Sequence, residues 1–444
     1  MDTVADVQES DCASEPPTTD GETSMPTVTT KLWHIILIAL ISIIFTAVFL
    51  ILYSLLDNAI WFNTDFMTTN RWMIPVLVLA FSLAVGLCQK YLNAPTAIHG
   101  SFVDSLKGSG EKADYRTFPG ALLSSLFSLL SGASIGPEGT VVVLIGDISC
   151  FIREKWNIAN ESSNEALGFD VAALASAFNG IIGNVLFTGI FATEFQVGGK
   201  NHAFRFLIWN LLAGAIGFIF YTSLGIQSFA EMIPFPSITD LNLAYVVYAV
   251  ILGVVGALLA VFAGLSMQKI GTIMEKSFHD KPVQRILAAG IVIAAIGYYF
   301  PNLLFSGEKQ IHSIIQNPSE FGITMLLIMA ILKILLLALS LKSGYLGGPI
   351  FPILFSSTMI ALALNLAFPG VPLCILVMCI ETAAITLALG APLTAILLVA
   401  VVGTANPYML SLLTLSAVTA MILSLAFTKK KENRSNAGKF KSGG

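Results

Sequence analysis

The stretch "SGASIGPEGTVVVLIGDI", residues 131–148, places a carboxylate, Glu138, between two glycines and beside a proline at the mouth of a long hydrophobic run. Charged groups at membrane depth are costly and tend to be functional. The rest of the chain sets that depth. Of 444 residues, 55% are hydrophobic and 11% charged, and the mean hydropathy is +0.81, whereas soluble domains carry roughly 25% charged residues. The chain reads as an all-α, polytopic membrane protein. Apolar windows at 33–55, 72–87, 171–191, 204–224, 244–267, 286–300, 323–341, 353–368, 374–389 and 410–427 approach the roughly 17–25 residues that cross a bilayer. Segments around 119–150 and 391–403 are short or broken by Gly and Pro. The runs are continuous and lack a period of two, which disfavours a β-barrel.

The ends differ in kind. Residues 1–30 are rich in Asp, Glu, Ser, Thr and Pro, with no Lys or Arg before Lys31. That is the composition of a disordered acidic tail and not of a core or signal peptide. Lys429, Lys430, Lys431, Arg434, Lys439 and Lys441 crowd the 429–444 segment after the last apolar run. The positive-inside rule puts this segment in the cytoplasm. The expected organisation is a 1–30 tail, a 31–428 transport region with halves of about 31–230 and 240–428, and a basic 429–444 tail, with both termini cytoplasmic and the chain in the plasma membrane. Cys12, Cys88, Cys150, Cys374 and Cys379 lack metal or redox spacing and read as small hydrophobes. No metal, cofactor or nucleic acid is called for.

Each half contains a Gly/Pro-broken segment, "GPEGT" at 136–140 and "GYLGGPIFPILF" at 344–355. Paired interruptions in corresponding halves point to a midplane transport site. Pro137 and Pro349 each follow a glycine and precede an apolar run, which suits the first position of a helix. A helix N-terminus exposes amides and about half a positive charge, so it attracts an anion without a Lys or Arg. Glu138, in the first turn of one such helix, is then a tethered anion. It can occupy the place of a diffusing ion and leave it on protonation.

These segments resemble the CLC family of chloride channels and proton/chloride antiporters, in particular a divergent bacterial branch without cytoplasmic regulatory domains. "GPEGT" is similar to the family's G-K/R-E-G-P, with Glu138 at its gating glutamate. "GGPIFP" (347–352) is similar to G-x-F-x-P, "GAPLTAIL" (390–397) to the "APLTG" segment, and "AFNG" (177–180) to "AFNAPLAG". "SGEK" (306–309) and Lys333 fall where the family has a Gly-Glu loop and a lysine. The matches run in family order from about residue 90 to 425. The resemblance implies an inverted-repeat fold with broken and re-entrant helices, and a homodimer with one anion pathway per subunit. It places Gly136, Gly139, Thr140, Gly348, Ile350, Phe351 and Tyr408 around the anion. Tyr408, in "GTANPYMLSLL" (403–413), matches a family tyrosine whose hydroxyl donates to the ion; an interfacial belt tyrosine is the alternative.

The chain departs from the pattern in several places. Pro137 stands for the usual basic residue, Thr140 for the usual proline, and Pro349 removes one N–H from the turn. The G-S-G-x-P that supplies the family's central serine has no secure counterpart. A literal "GSG" at 108–110 lies in the polar stretch "KGSGEKADYR", a surface loop by composition, and the corresponding segment is "YLNAPTAIHG" (91–100). The inner proton glutamate of family antiporters aligns with Ile190 and Phe191, and Glu194 comes about one turn later. Glu194 is therefore either a displaced proton relay or an interfacial glutamate at a helix end. Asp147 and Glu381, also in apolar runs, read as structural or interfacial.

The expected function is passive chloride conduction gated by Glu138. The alternative is proton-coupled chloride or fluoride antiport through Glu138 and Glu194, and a more distant one is a carrier for another solute. An enzyme would need a catalytic set, but His34, His99, His202, His279 and His312 are scattered. A cation carrier would want carboxylates around a cation, and few acids lie in the helices.

Overall fold

The computed structural model describes residues 31–62, 69–97, 115–157, 164–194, 203–226, 235–236 and 238–441. The acidic tail, the "GSG" at 108–110, the end of the 91–100 segment and residues 442–444 lie outside the described residues. The described residues form fifteen α-helices and no strand. In chain order they are α1 (Leu32–Asp57), α2 (Met73–Tyr91), α3 (Phe118–Leu130), α4 (Pro137–Lys155), α5 (Asn164–Ala177), α6 (Val185–Glu194), α7 (Ala203–Ser223), α8 (Leu243–Ser277), α9 (Pro282–Tyr299), α10 (Glu308–Gln316), α11 (Gly322–Ser343), α12 (Ile350–Ala367), α13 (Leu373–Leu389), α14 (Pro392–Val402) and α15 (Pro407–Lys441). Eight are long and apolar enough to cross a membrane. This is a multi-pass membrane protein.

The same succession of packings occurs in each half. The broken helix α4 lies on α5, α5 and α6 on α7, and α1 covers α5 and α7. In the second half α12 lies on α13, α13 and α14 on α15, and α8 covers α13 and α15. Between lipid tails and apolar side chains little hydrophobic drive remains, so small residues that admit close contact set such packing. At the α8–α13 contact, a Cβ on Gly256 would sit 2.4 Å from the carbonyl oxygen of Ile380.

One expected span is corrected. The 171–191 window is two helices, α5 and α6, with the chain broken between them by a 3-10 turn at Phe178–Gly180. The break is the "AFNG" segment. Asn179 Nδ2 donates to the carbonyls of Ala175 (3.1 Å) and Gly214 (2.9 Å), satisfying backbone acceptors at the turn and on α7. The interruption is polar in its hydrogen bonding and apolar in its composition, so hydropathy alone runs through it.

Candidate ion-gating site

The two broken segments meet. Gly136 and Gly348 form an antiparallel bridge, with Gly136 N–H donating to Gly348 O at 2.9 Å and Gly348 N–H donating to Gly136 O at 2.8 Å. Two side-chain-free residues are needed for backbones to come this close. A Cβ on Gly348 would lie 2.2 Å from Glu138 Cδ, and one on Gly139 would lie 2.3 Å from the Gly347 carbonyl carbon. Pro137 begins α4, with Gly136 extended before it at φ −100°. In the second half the expected register moves by one. Pro349 is the N-cap and Ile350 the first helical residue of α12, so the first helical residue carries an N–H that can donate.

Glu138, 1% exposed, does not stay over its own helix. Its Oε1 accepts the Ile350 N–H at 2.7 Å, and the amides of Phe351 and of Glu138 itself also face the carboxylate. The side chain of one broken helix thus fills the N-terminus of the other, where the first-turn amides of α12 have no intrahelical acceptor and the positive end of its dipole emerges. Gly136, Gly139, Gly348, Ile350 and Phe351 are all gathered here. Thr140 is adjacent, but its hydroxyl donates to its own turn at Pro137 O (2.6 Å).

A fully buried cation supports the site from one side. Lys333 of α11 points Nζ at the carbonyls of Leu303 (3.1 Å), Leu304 (3.3 Å) and Phe305 (2.6 Å), and lies 4.8 Å from the Phe355 ring centroid on α12. All three ammonium protons are used, which makes the charge tolerable where water is absent. Beside it, Lys309 pairs with the buried Asp57 at 2.7 Å, and Ser306 bonds Glu308.

Two other predicted residues are placed elsewhere. Glu194, at the end of α6, accepts from the amides of Leu393 (2.8 Å) and Thr394 (3.0 Å) and from the Thr394 hydroxyl (2.8 Å). It is the N-terminal cap of α14, whose own N-cap position is Ala391 and offers no side-chain acceptor. Tyr408 stands near the start of α15 with its ring 47% exposed. Among the described residues it makes no hydrogen bond to the Glu138 cluster, and the turn that carries it is capped by Asn406 Oδ1, which accepts from the Met409 amide at 2.9 Å. The sequence reading missed the Gly136–Gly348 bridge and the pairing of Glu381 with Thr358 (2.9 Å). Equal spacing of the two breaks from the glycines was the available signal for the bridge. Nothing local signalled the pairing.

With the fold and the meeting of the two breaks in hand, the class is defined: a membrane protein of paired broken helices that presents a carboxylate to a helix N-terminus. The family model described as "Voltage gated chloride channel" matches residues 80–425, and the chain belongs to that family, the CLC family. Similar proteins include YfeO of Escherichia coli (strain SMS-3-5 / SECEC), whose ion-transport role is itself provisional, 23% identical with 73% of this chain and 77% of that protein covered. A chloride/fluoride channel protein of Pseudomonas syringae pv. tomato is 24% identical with 70% of this chain and 66% of that protein covered. The fold is similar to a CLC-type fluoride/proton antiporter (TM-score 0.68, 20% identity, 88% of this chain and 93% of that one). It is also similar to a slow cyanobacterial Cl-/H+ antiporter (TM-score 0.75, 16% identity, 89% and 94%).

Proposed function

We propose that this chain moves a small anion, chloride or fluoride, across the membrane in exchange for protons, through a pathway gated by Glu138. The observation that carries the reading is the 2.7 Å hydrogen bond from Ile350 N–H to Glu138 Oε1. A helix N-terminus holds any anion that fits, and the tethered carboxylate competes with the diffusing one until it takes a proton. Proton uptake and anion entry are then two sides of one event. That both solved relatives named above are antiporters favours exchange over the passive conduction expected from the sequence. Passive conduction draws support from one feature: Glu194, the expected inner relay, is engaged as a helix cap.

The proposed assembly is a homodimer in the plasma membrane with both termini cytoplasmic, the C-terminal side following from the basic residues 429–441. The test uses purified protein in vesicles with an imposed chloride or fluoride gradient at zero membrane potential, following anion and internal pH together. Uphill proton movement, lost in Glu138→Gln, supports exchange. Anion flux with no proton movement supports passive conduction, and no flux of either anion overturns the anion reading.

A further inference from the structure

The two halves hold a carboxylate in the same way. Ser149 of α4 donates to Asp170 of α5 at 2.5 Å, and Thr358 of α12 lies 2.9 Å from Glu381 Oε1 of α13. Each pair joins a broken helix to the helix that follows it. The difference is the counterion. Arg153 Nε is 3.4 Å from the same Asp170 oxygen, so the first-half carboxylate is neutralised.

Glu381, 6% exposed, has no such partner. Neither α12 nor α14 contains a charged residue, and α13 contains none but Glu381. On α8, the contact with α13 is at Gly256, and the first charge, Lys269, is about 20 Å further along at 1.5 Å per residue. On α15, Ser416 Oγ donates to Cys379 O at 2.7 Å, and Lys429 is again about 20 Å beyond. The other titratable groups on these helices, Tyr245, Tyr248, Tyr408, Cys374 and Cys379, are neutral near pH 7. The cation of the neighbouring α11, Lys333, is committed to three carbonyls.

The hydrogen count agrees. Thr358 Oγ1 is also 2.9 Å from Leu354 O, and a hydroxyl has one proton to give. When that proton goes to Leu354 O, the contact with Glu381 exists only if the carboxyl is protonated and donates to Thr358. An uncompensated carboxylate this deep is far more costly than a carboxylic acid with a hydrogen-bond acceptor.

We propose that Glu381, hydrogen-bonded to Thr358, is the second proton-holding residue of the transport pathway, in the role the sequence reading offered to Glu194. Thr358 is eight residues, about 12 Å, along α12 from Ile350, whose amide holds Glu138. The hydroxyls of Ser357, Thr382 and Thr386 on the same two helices are buried without a hydrogen-bond partner among the described residues, so they are available to a moving proton. Glu194, by contrast, is engaged by two amides and a hydroxyl at the start of α14.

This assignment rests on the antiport reading, and the experiment separates the two. Anion-driven proton movement is measured in vesicles for the wild type, Glu381→Gln and Glu194→Gln. Glu381→Gln is expected to retain anion flux while proton movement falls at least about a hundredfold, the low side of losing one positioned proton-transfer group; Glu194→Gln retains both. A wild type that moves no protons removes the antiport reading and this assignment with it. Proton movement that persists in Glu381→Gln leaves antiport standing and overturns the assignment. Infrared spectra of the full chain give a readout that does not depend on the variant's transport. A protonated-carboxyl band that shifts in Glu381→Asp supports the proposal, and its absence from the wild type overturns it.

Discussion

Gly136 and Gly348, one from each half of the chain, donate to and accept from each other's backbone. The bridge sets Glu138 of the first half against the Ile350 amide of the second. The geometry of the proposed gate is therefore a geometry of backbone contact, and it is sensitive to a single added carbon.

Gly139→Ala tests that sensitivity. The new methyl would sit 2.3 Å from the Gly347 carbonyl carbon, which is backbone and has little room to yield. Overpacking of this kind costs about 1–3 kcal/mol. Thermal unfolding in detergent should show a lowered midpoint, whereas Gly370→Ala, where a Cβ meets nothing within 4 Å, should leave it unchanged.

For Glu138 the sign of the pH response follows from the competition at α12. Under the proposed gating, lowering pH protonates the carboxylate, weakens its hold on the Ile350 amide and admits the anion, so wild-type anion flux should rise as pH falls. Glu138→Gln is neutral at every pH and should give flux that does not vary with it. Flux in Glu138→Gln with the wild-type pH profile would place the pH sensor elsewhere.

Glu194→Ala removes the cap of α14. Loss of an N-cap acceptor costs about 0.5–2 kcal/mol, and two amides and a hydroxyl lose their partner here. The expected result is reduced thermal stability with anion selectivity intact. A selectivity change without a stability change would return Glu194 to the transport pathway.

Tyr408→Phe follows from exposure. The side chain is 47% exposed, and a surface substitution of this kind is usually worth within about 0.5 kcal/mol. Chloride binding by isothermal titration should be the same in Tyr408→Phe and wild type. A several-fold loss of affinity would put the phenol on the ion after all.

What could be read in advance was local chemistry. The helix starts at "GPEGT" and "GGPIFP" are written in Gly and Pro, whose backbone limits act within a few residues, and both breaks fall there. Glu138 stood out because a carboxylate at membrane depth is conspicuous wherever it points. Its destination was not readable: the donor amide is 212 positions away, and the first turn of α4 offered an equally good dipole. Glu194 is the same case, since its three donors lie on α14. The break at "AFNG" was quoted as a motif and still crossed by an apolar window, because Asn179 repairs the backbone hydrogen bonds that hydropathy does not count.

The hydrogen bond between Ile350 and Glu138 also ties the two halves of the chain together, so filling the proposed ion site and holding the fold share one donor. An anion that displaces the carboxylate replaces an internal tether with a ligand, and a ligand that binds only the folded form stabilises it in proportion to the logarithm of its concentration. Resistance to heat should therefore report ion occupancy. In Glu138→Ala, which has no tether of its own, the melting temperature should climb with added halide, while the wild type at high pH, already occupied by its own side chain, should respond least.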